Sequence, residues 1–288
     1  MNERVTPPPT FPPSPFVGAD VVTEHRDEVQ LVDVRWSLDG TEGEHTYRAG
    51  HVPGAVYVDL DADLAGPASD AGGRHPLPTP SAFAAALGAR GVDERRPVVA
   101  YDTLGGAVAA RLVWMLRAIG QPAAVLDGGL AAWDGPLSDR PPAVTPVVRQ
   151  ARPWPADRIV EADDVARWAA GEGRVVDVRA PARFRGEEEP VDPRAGHVPG
   201  ARNLPIADHL VDGSLDGWEQ LRARYDALDV TGEVPIVVTC GSGVNACFGA
   251  LVLEQLGRPA ALFPGSWSAW SRDPHRPVAT GPATDRST

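Results

Sequence analysis

Several blocks of this chain occur twice, about one domain's length apart, and that repetition limits the available folds more than any other feature. Leu31-Val-Asp33-Val-Arg35 returns as Val175-Val-Asp177-Val-Arg179, and Arg48-Ala-Gly-His51-Val-Pro-Gly-Ala55 returns as Arg194-Ala-Gly-His197-Val-Pro-Gly-Ala201. Pro97-Val-Val-Ala-Tyr-Asp102, a glycine loop and an apolar run over 109–119 match Pro235-Ile-Val-Val-Thr239, a cysteine-headed loop and an apolar run ending at Gly257. Each half then closes on a strand-like run and a Trp segment, Val125 to Trp133 and Leu262 to Trp270. With 288 residues the chain is long enough for two ordinary domains, so two copies of one unit is the economical reading.

The expected layout is a Pro-rich tail over 1–15, a first domain over 16–140, a Pro-rich linker over 141–157, a second domain over 158–280 and a tail over 281–288. Within each copy, short branched-apolar runs alternate with helical segments such as 81–87 and 162–170. That alternation predicts an α/β fold, each domain a mainly parallel central sheet flanked by helices, with a site where strand ends meet helix starts.

Charge and cysteine usage narrow the function. The 39 acidic and 27 basic side chains leave a net charge of −12, which repels phosphate and argues against nucleic acid or an acidic membrane as partner. No apolar run approaches the roughly 18 residues of a membrane span, and the first residues lack a signal-peptide core. Two cysteines seven positions apart build no disulfide framework, so a reducing, cytoplasmic setting is expected. There is no Cys-x-x-Cys pair and no His cluster at ligand spacing, so no metal or cofactor is implied.

Duplication also acts as a filter: features in both halves serve the shared fold, and features in one half are candidates for chemistry. His51 and His197, and the pairs Asp33/Arg35 and Asp177/Arg179, are thereby structural. Cys240 is present in the second half alone, and aligning Gly106 with Gly243 sets Thr103 opposite it, which makes the first half a silent copy. An ordinary cysteine, with a pKa of about 8.5, is only about 3% thiolate at neutral pH, so a nucleophilic one needs a setting that favours the anion. The loop Cys240-Gly-Ser-Gly-Val-Asn-Ala can turn backbone amides inward, with the positive end of the following helix added. Cys247 falls within that helix and reads as packing. No Lys or Arg occurs between Pro235 and Gly257. Counter-charge for an anionic substrate must come from elsewhere, such as Arg179, Arg183 and Arg185, unless these only balance Glu187, Glu188 and Glu189. In the first half, Asp59, Asp61, Arg74 and His75 lie beyond a strand end, where they could face the second half.

These motifs together, the Cys240-Gly-Ser-Gly-Val-Asn loop, the paired His-Val-Pro-Gly-Ala turns, Arg183-Phe-Arg-Gly and Gly265-Ser-Trp267, resemble the tandem-rhodanese sulfurtransferases over nearly the whole chain. The loop is similar to that of the 3-mercaptopyruvate enzymes, with Asn245 where threonine is usual. The resemblance implies a persulfide on Cys240, a small anionic donor (3-mercaptopyruvate, or thiosulfate as the alternative) and a thiol, cyanide or thioredoxin-like acceptor. It further implies Ser242, Asp59 and His75 as proton carriers, Arg183 and Arg194 as donor-carboxylate ligands, and Gly241, Gly243, Val244 and Asn245 as the walls of the cradle. Two rivals are a phosphatase, which needs an arginine where Ala246 stands, and a non-catalytic binding or sulfur-relay module.

Overall fold

The computed structural model describes residues 14–283; segments 1–13 and 284–288, which hold most of the two expected tails, lie outside the described residues. The first half runs β1 (Phe16–Val17), α1 (Ala19–Glu24), β2 (Gln30–Asp33), α2 (Glu44–Ala49), β3 (Val56–Tyr57), α3 (Leu60–Asp63), α4 (Pro80–Ala89), β4 (Val98–Tyr101), α5 (Ala109–Ala118) and β5 (Ala123–Leu126). The second runs α6 (Ala162–Arg167), β6 (Arg174–Asp177), α7 (Pro181–Arg185), β7 (Arg202–Asn203), a small hairpin β8 (Leu210–Val211) and β9 (Ser214–Leu215), α8 (Trp218–Ala227), β10 (Ile236–Thr239), α9 (Ala246–Gln255), β11 (Ala261–Leu262) and α10 (Ser266–Trp270).

The two sheets have the same plan. Their orders are β1-β5-β4-β2-β3 and β11-β10-β6-β7, and every pairing in them is parallel. A parallel bridge from Ile159 to Leu262 supplies the second domain's counterpart of β1. Helices cover both faces, so the central strands β4 and β10 are buried at every residue and read as unbroken apolar runs rather than alternating ones.

The repeated motifs brace equivalent points. The Arg35 guanidinium donates to Asp33 at 2.6 Å and to the Gly50 carbonyl at 2.9 Å. Arg179 does the same with Asp177 at 2.7 Å and Gly196 at 2.7 Å. His51 stacks on Tyr47 and His197 on Phe184, and each imidazole meets a backbone carbonyl through Nδ1. Charge pairs this deep are compensated and hydrogen-bonded, as burial requires.

The halves share one apolar core. Phe16 meets Phe248 edge to face at 5.3 Å, α5 lies against α9, and residues of both sheets belong to the same buried cluster. Arg117 reaches across to Glu254 at 2.8 Å. The Pro-rich stretch between the halves lies along the first domain: the Val147 amide donates to the Gly88 carbonyl, and the Trp154 indole donates to Pro78. Among the described residues no helix is long and apolar enough to cross a membrane.

His209 shows what this burial does to a titratable group. It is fully enclosed; Nδ1 lies 3.0 Å from the Pro205 carbonyl and Nε2 2.8 Å from the Tyr225 hydroxyl. One ring nitrogen donates and the other accepts, so the pair suits the neutral imidazole, and burial lowers the pKa to about 4. Between about pH 6.5 and 4 the unfolded chain therefore binds a proton that the folded chain refuses, and stability falls as the pH drops through that window by up to about 1.4 kcal/mol per pH unit. Urea unfolding at several pH values checks this: His209→Gln is expected to flatten the slope, and an unchanged slope would contradict the assignment.

Candidate active site

Strand β10 ends at Thr239, and the next residue places the Cys240 sulfur where the chain turns toward α9. The turn is held from below by the segment that opens α10. The Ser266 hydroxyl accepts from the Cys240 amide at 3.1 Å, Trp267 N–H donates to the Cys240 carbonyl at 3.0 Å, and Ser268 N–H donates to the Gly241 carbonyl at 2.8 Å. Gly243 has φ of +79°, and a Cβ there would lie 2.3 Å from the Pro264 carbonyl oxygen, so only glycine fits. Its amide donates to the Cys240 sulfur at 3.1 Å.

The sulfur lies at the floor of a cleft of about 370 Å³, and Cys240 itself is 3% exposed. Gly241, Ser242, Val244 and Asn245 line one side, with α7 and the Pro205 turn opposite. Trp36, Leu38, Arg74 and His75 enter from the first domain. The cleft is thus composite, as the one-half features of the sequence suggested.

His75 connects its two sides. Nδ1 is 2.8 Å from the Ser242 hydroxyl and Nε2 is 2.9 Å from Asp61, whose other oxygen accepts from the Trp36 indole at 2.8 Å. Burial lowers the His75 pKa from its ordinary value; Asp61 pulls it back up, and Arg111 and Arg74 push it further down. With Nε2–H donating to Asp61, Nδ1 of the neutral ring is left to accept from the Ser242 hydroxyl.

The cations at the mouth are held by buried acids. A Cβ on Gly241 would lie 3.1 Å from Arg74 Nη2 and 3.4 Å from Arg183 Nη1. Arg183 pairs with Glu189 at 2.6 Å and with Asp192 at 3.4 Å, and Arg74 pairs with the same Asp192. Both acids are nearly or fully buried, so they fix the guanidiniums while leaving part of each facing the cleft. The Glu189 partner of Arg183 matches the balanced-turn alternative, yet the arginine still lines the cleft.

Three expectations are corrected. Asp59 does not reach His75: its carboxylate caps α3, accepting from the amides of Asp61 and Ala62 at 2.9 Å each, and Asp61 in the first helical turn makes the contact instead. Arg194 does not reach the cleft. Its guanidinium donates to the carbonyls of Trp270 and Ser271 at 2.9 and 2.7 Å and fastens the C-terminal segment. The residue opposite Cys240 is Asp102 rather than Thr103. Strand register pairs Asp33 with Tyr101 and Asp177 with Thr239, so the next residue in each half is the equivalent one, and the first loop is longer by a single residue.

Two contributors were missed. Arg74 was seen only as a polar group facing the interface, whereas it shares the mouth with Arg183. Arg111, in the apolar run over 109–119 that was read only as the twin of the second half's helix, donates to the Gly243 carbonyl at 3.1 Å. Arg117 lies in the same helix, so an arginine in this apolar run does not by itself single Arg111 out. Cys247 is entirely buried, donates to the Gly243 carbonyl at 3.4 Å, and has its pKa pushed up to about 12, chiefly by burial.

Two copies of one parallel α/β domain, the second presenting a cysteine on a tight strand-to-helix loop, define the class. The chain belongs to the rhodanese family: the family's sequence profile, described as Rhodanese-like domain, matches residues 19–135 and 161–273. A Pseudomonas aeruginosa protein provisionally named 3-mercaptopyruvate sulfurtransferase is 41% identical over 265 residues, 88% of this chain and 93% of its own length. A Mycobacterium tuberculosis protein provisionally named thiosulfate sulfurtransferase SseB is 40% identical over 269 residues, 89% of this chain and 93% of its own length. The solved structure of SseA from Escherichia coli, presented as a 3-mercaptopyruvate sulfotransferase, matches with a TM-score of 0.78 at 33% identity, over 88% of this chain and 99% of that one.

The two aspartates separate cleanly by mutation. Asp59→Ala is expected to cost about 1 kcal/mol of stability through the lost cap, with kcat within about twofold of wild type. Asp61→Asn is expected to lower kcat by about tenfold to a hundredfold with little loss of stability. Steady-state rates and thermal unfolding of both variants check this, and the opposite pattern would restore Asp59.

Proposed function

We propose that this chain is a sulfurtransferase that takes a sulfur atom from 3-mercaptopyruvate onto Cys240 and passes it to a thiol or cyanide acceptor. The observation that carries the reading is the run Asp61, His75, Ser242 beside the sulfur, because a proton relay is needed for this donor and not for thiosulfate. The Cys240 thiolate attacks the donor sulfur, forming the S–S bond while the C–S bond breaks. The electron pair of that bond leaves on carbon as pyruvate enolate, which must be protonated. The donor's thiol proton supplies it, carried through the Ser242 hydroxyl to His75 Nδ1 and back. Asp61 holds the ring in the tautomer that can receive it. Arg183 and Arg74 meet the donor's carboxylate at the mouth. The persulfide anion left on Cys240 faces the Gly243 amide.

In the second half-reaction an acceptor thiolate or cyanide attacks the outer sulfur, and Cys240 leaves as thiolate. The apolar rim of Trp36, Leu38 and Ile206 would suit a small thiol or the edge of a thioredoxin-like protein. The first domain, with Asp102 in the equivalent loop, serves the reaction only by what it contributes across the interface. Two free thiols fit a reducing, cytoplasmic setting.

Thiosulfate is the second reading, favoured by one observation: two guanidiniums at the mouth suit a dianion as well as a carboxylate. The names of similar proteins divide between the two donors. With thiosulfate the leaving group is sulfite, which departs without a proton. Ser242→Ala is therefore expected to lower kcat/KM for 3-mercaptopyruvate by about a hundredfold and for thiosulfate by less than about threefold, measured as pyruvate or sulfite release. Equal loss with both donors would remove the relay from the mechanism.

A further inference from the structure

Beneath the Cys240 loop lies a buried cation. Arg111 projects from α5 of the first domain, is fully buried, and directs its hydrogen bonds at backbone carbonyls: Gly243 at 3.1 Å, His75 at 3.0 Å and Leu64 at 3.3 Å. Among the described residues it makes no salt bridge, and its Nε has no hydrogen-bond partner. A guanidinium removed from water is costly to keep charged without a counter-ion. The neighbouring groups do not supply one. The Cys247 thiol beside it stays protonated. Asp61 is committed to His75 and Trp36, Asp63 to Arg90, Asp102 to four amides of its own loop, Asp177 to Arg179, and Glu189 and Asp192 to Arg183 and Arg74.

We propose that Arg111 is the positioning residue of the catalytic loop, a cation contributed by the first domain that fixes Gly243 and His75 together and whose counter-ion is the anionic sulfur on Cys240. The inference deepens the sulfurtransferase reading without depending on which donor is used. One guanidinium holds the carbonyl of the residue whose amide meets the sulfur, and also the backbone of the residue whose ring meets Ser242. The relay from one domain and the nucleophile from the other are thereby kept in register. The remaining charged and titratable groups that face Cys240 are Arg74 and Arg183 at the mouth, His75, and Arg179, whose charge also acts on the Cys240 sulfur but is already met by Asp177 and Glu189.

The test uses the full chain and iodoacetamide, which needs no sulfur donor, so its outcome stands apart from the choice of substrate. In Arg111→Met, alkylation of Cys240 at neutral pH is expected to slow about tenfold while the limiting rate at high pH stays that of wild type. A blocked or collapsed site would lower both. Arg111→Lys, which keeps the charge, is expected to recover to within about threefold. Sulfur transfer by Arg111→Met should lose about tenfold in kcat with KM nearly unchanged. A folded Arg111→Met with the wild-type alkylation profile, or Arg111→Lys no better than Arg111→Met, would overturn the proposal. Should Arg111→Met fail to fold, the stability gap between wild type and Cys240→Ser decides: it widens with rising pH if the sulfur anion is the counter-ion, and a gap independent of pH overturns the proposal.

Discussion

A peptide chain that turns sharply from a buried strand into a buried helix brings several amide N–H groups to one point, and buried amides must find acceptors. This structure answers that demand twice, with different chemistry. In the first domain, Asp102 turns its carboxylate into its own loop and accepts from Leu104 and Gly106 through one oxygen and from Val108 and Ala109 through the other, all at 2.7 to 2.8 Å. Complete burial pushes that carboxyl up from the usual range, and the four amides pull it back. In the second domain the equivalent residue is Cys240, whose sulfur receives the Gly243 amide. The first loop therefore carries, as a fixed side chain, the kind of acceptor that the second loop would offer in the Cys240 thiolate and its persulfide.

The consequence is a division of labour rather than a redundant copy. The hairpin β8–β9 of the second domain lies against the first loop: the Gly213 carbonyl comes 2.6 Å from where a Cβ on Gly105 would sit, and the Leu215 amide donates to Asp127 at 2.7 Å. Over the second loop the first domain instead leaves a cleft and furnishes Trp36, Arg74 and His75 to its walls. Because one apolar core runs through both halves, these groups are held by packing rather than by a flexible hinge. A cation that bridges the domains belongs in such a seam, where neither half alone could fix it.

What the sequence revealed and what it hid follow from the range of each signal. Duplication and apolar runs report on the sheet, and the sheet is as read, down to the twin Asp–Arg braces. Cys240 stood out because its twin is absent. Asp59 and Asp61 were not separable by type, since both are carboxylates on one short stretch. The capping pattern of Asp59 and Asp63 around α3 was the available clue, because the Asp59 amide donates to Asp63 while the Asp59 side chain caps the helix. Thr103 was set opposite Cys240 by aligning Gly106 with Gly243, and an extra loop residue defeats such a count where strand register does not. Arg194 has the right charge and nearly the right place, but its direction is decided by carbonyls at the end of α10, distant in sequence. Contacts made across the domain interface leave no local mark, which is why Arg111 was hidden among alanines and leucines.

If Cys240 carries the sulfur, the adduct must be found on it. Reaction of the full chain with one equivalent of 3-mercaptopyruvate and no acceptor, followed by peptide mass spectrometry, tests this directly. The expected result is a single added sulfur atom on the peptide bearing Cys240, on that residue and not on Cys247, with an equivalent of pyruvate released and the adduct removed by cyanide. Pyruvate release with the sulfur on Cys247, or no adduct with any donor, would contradict it.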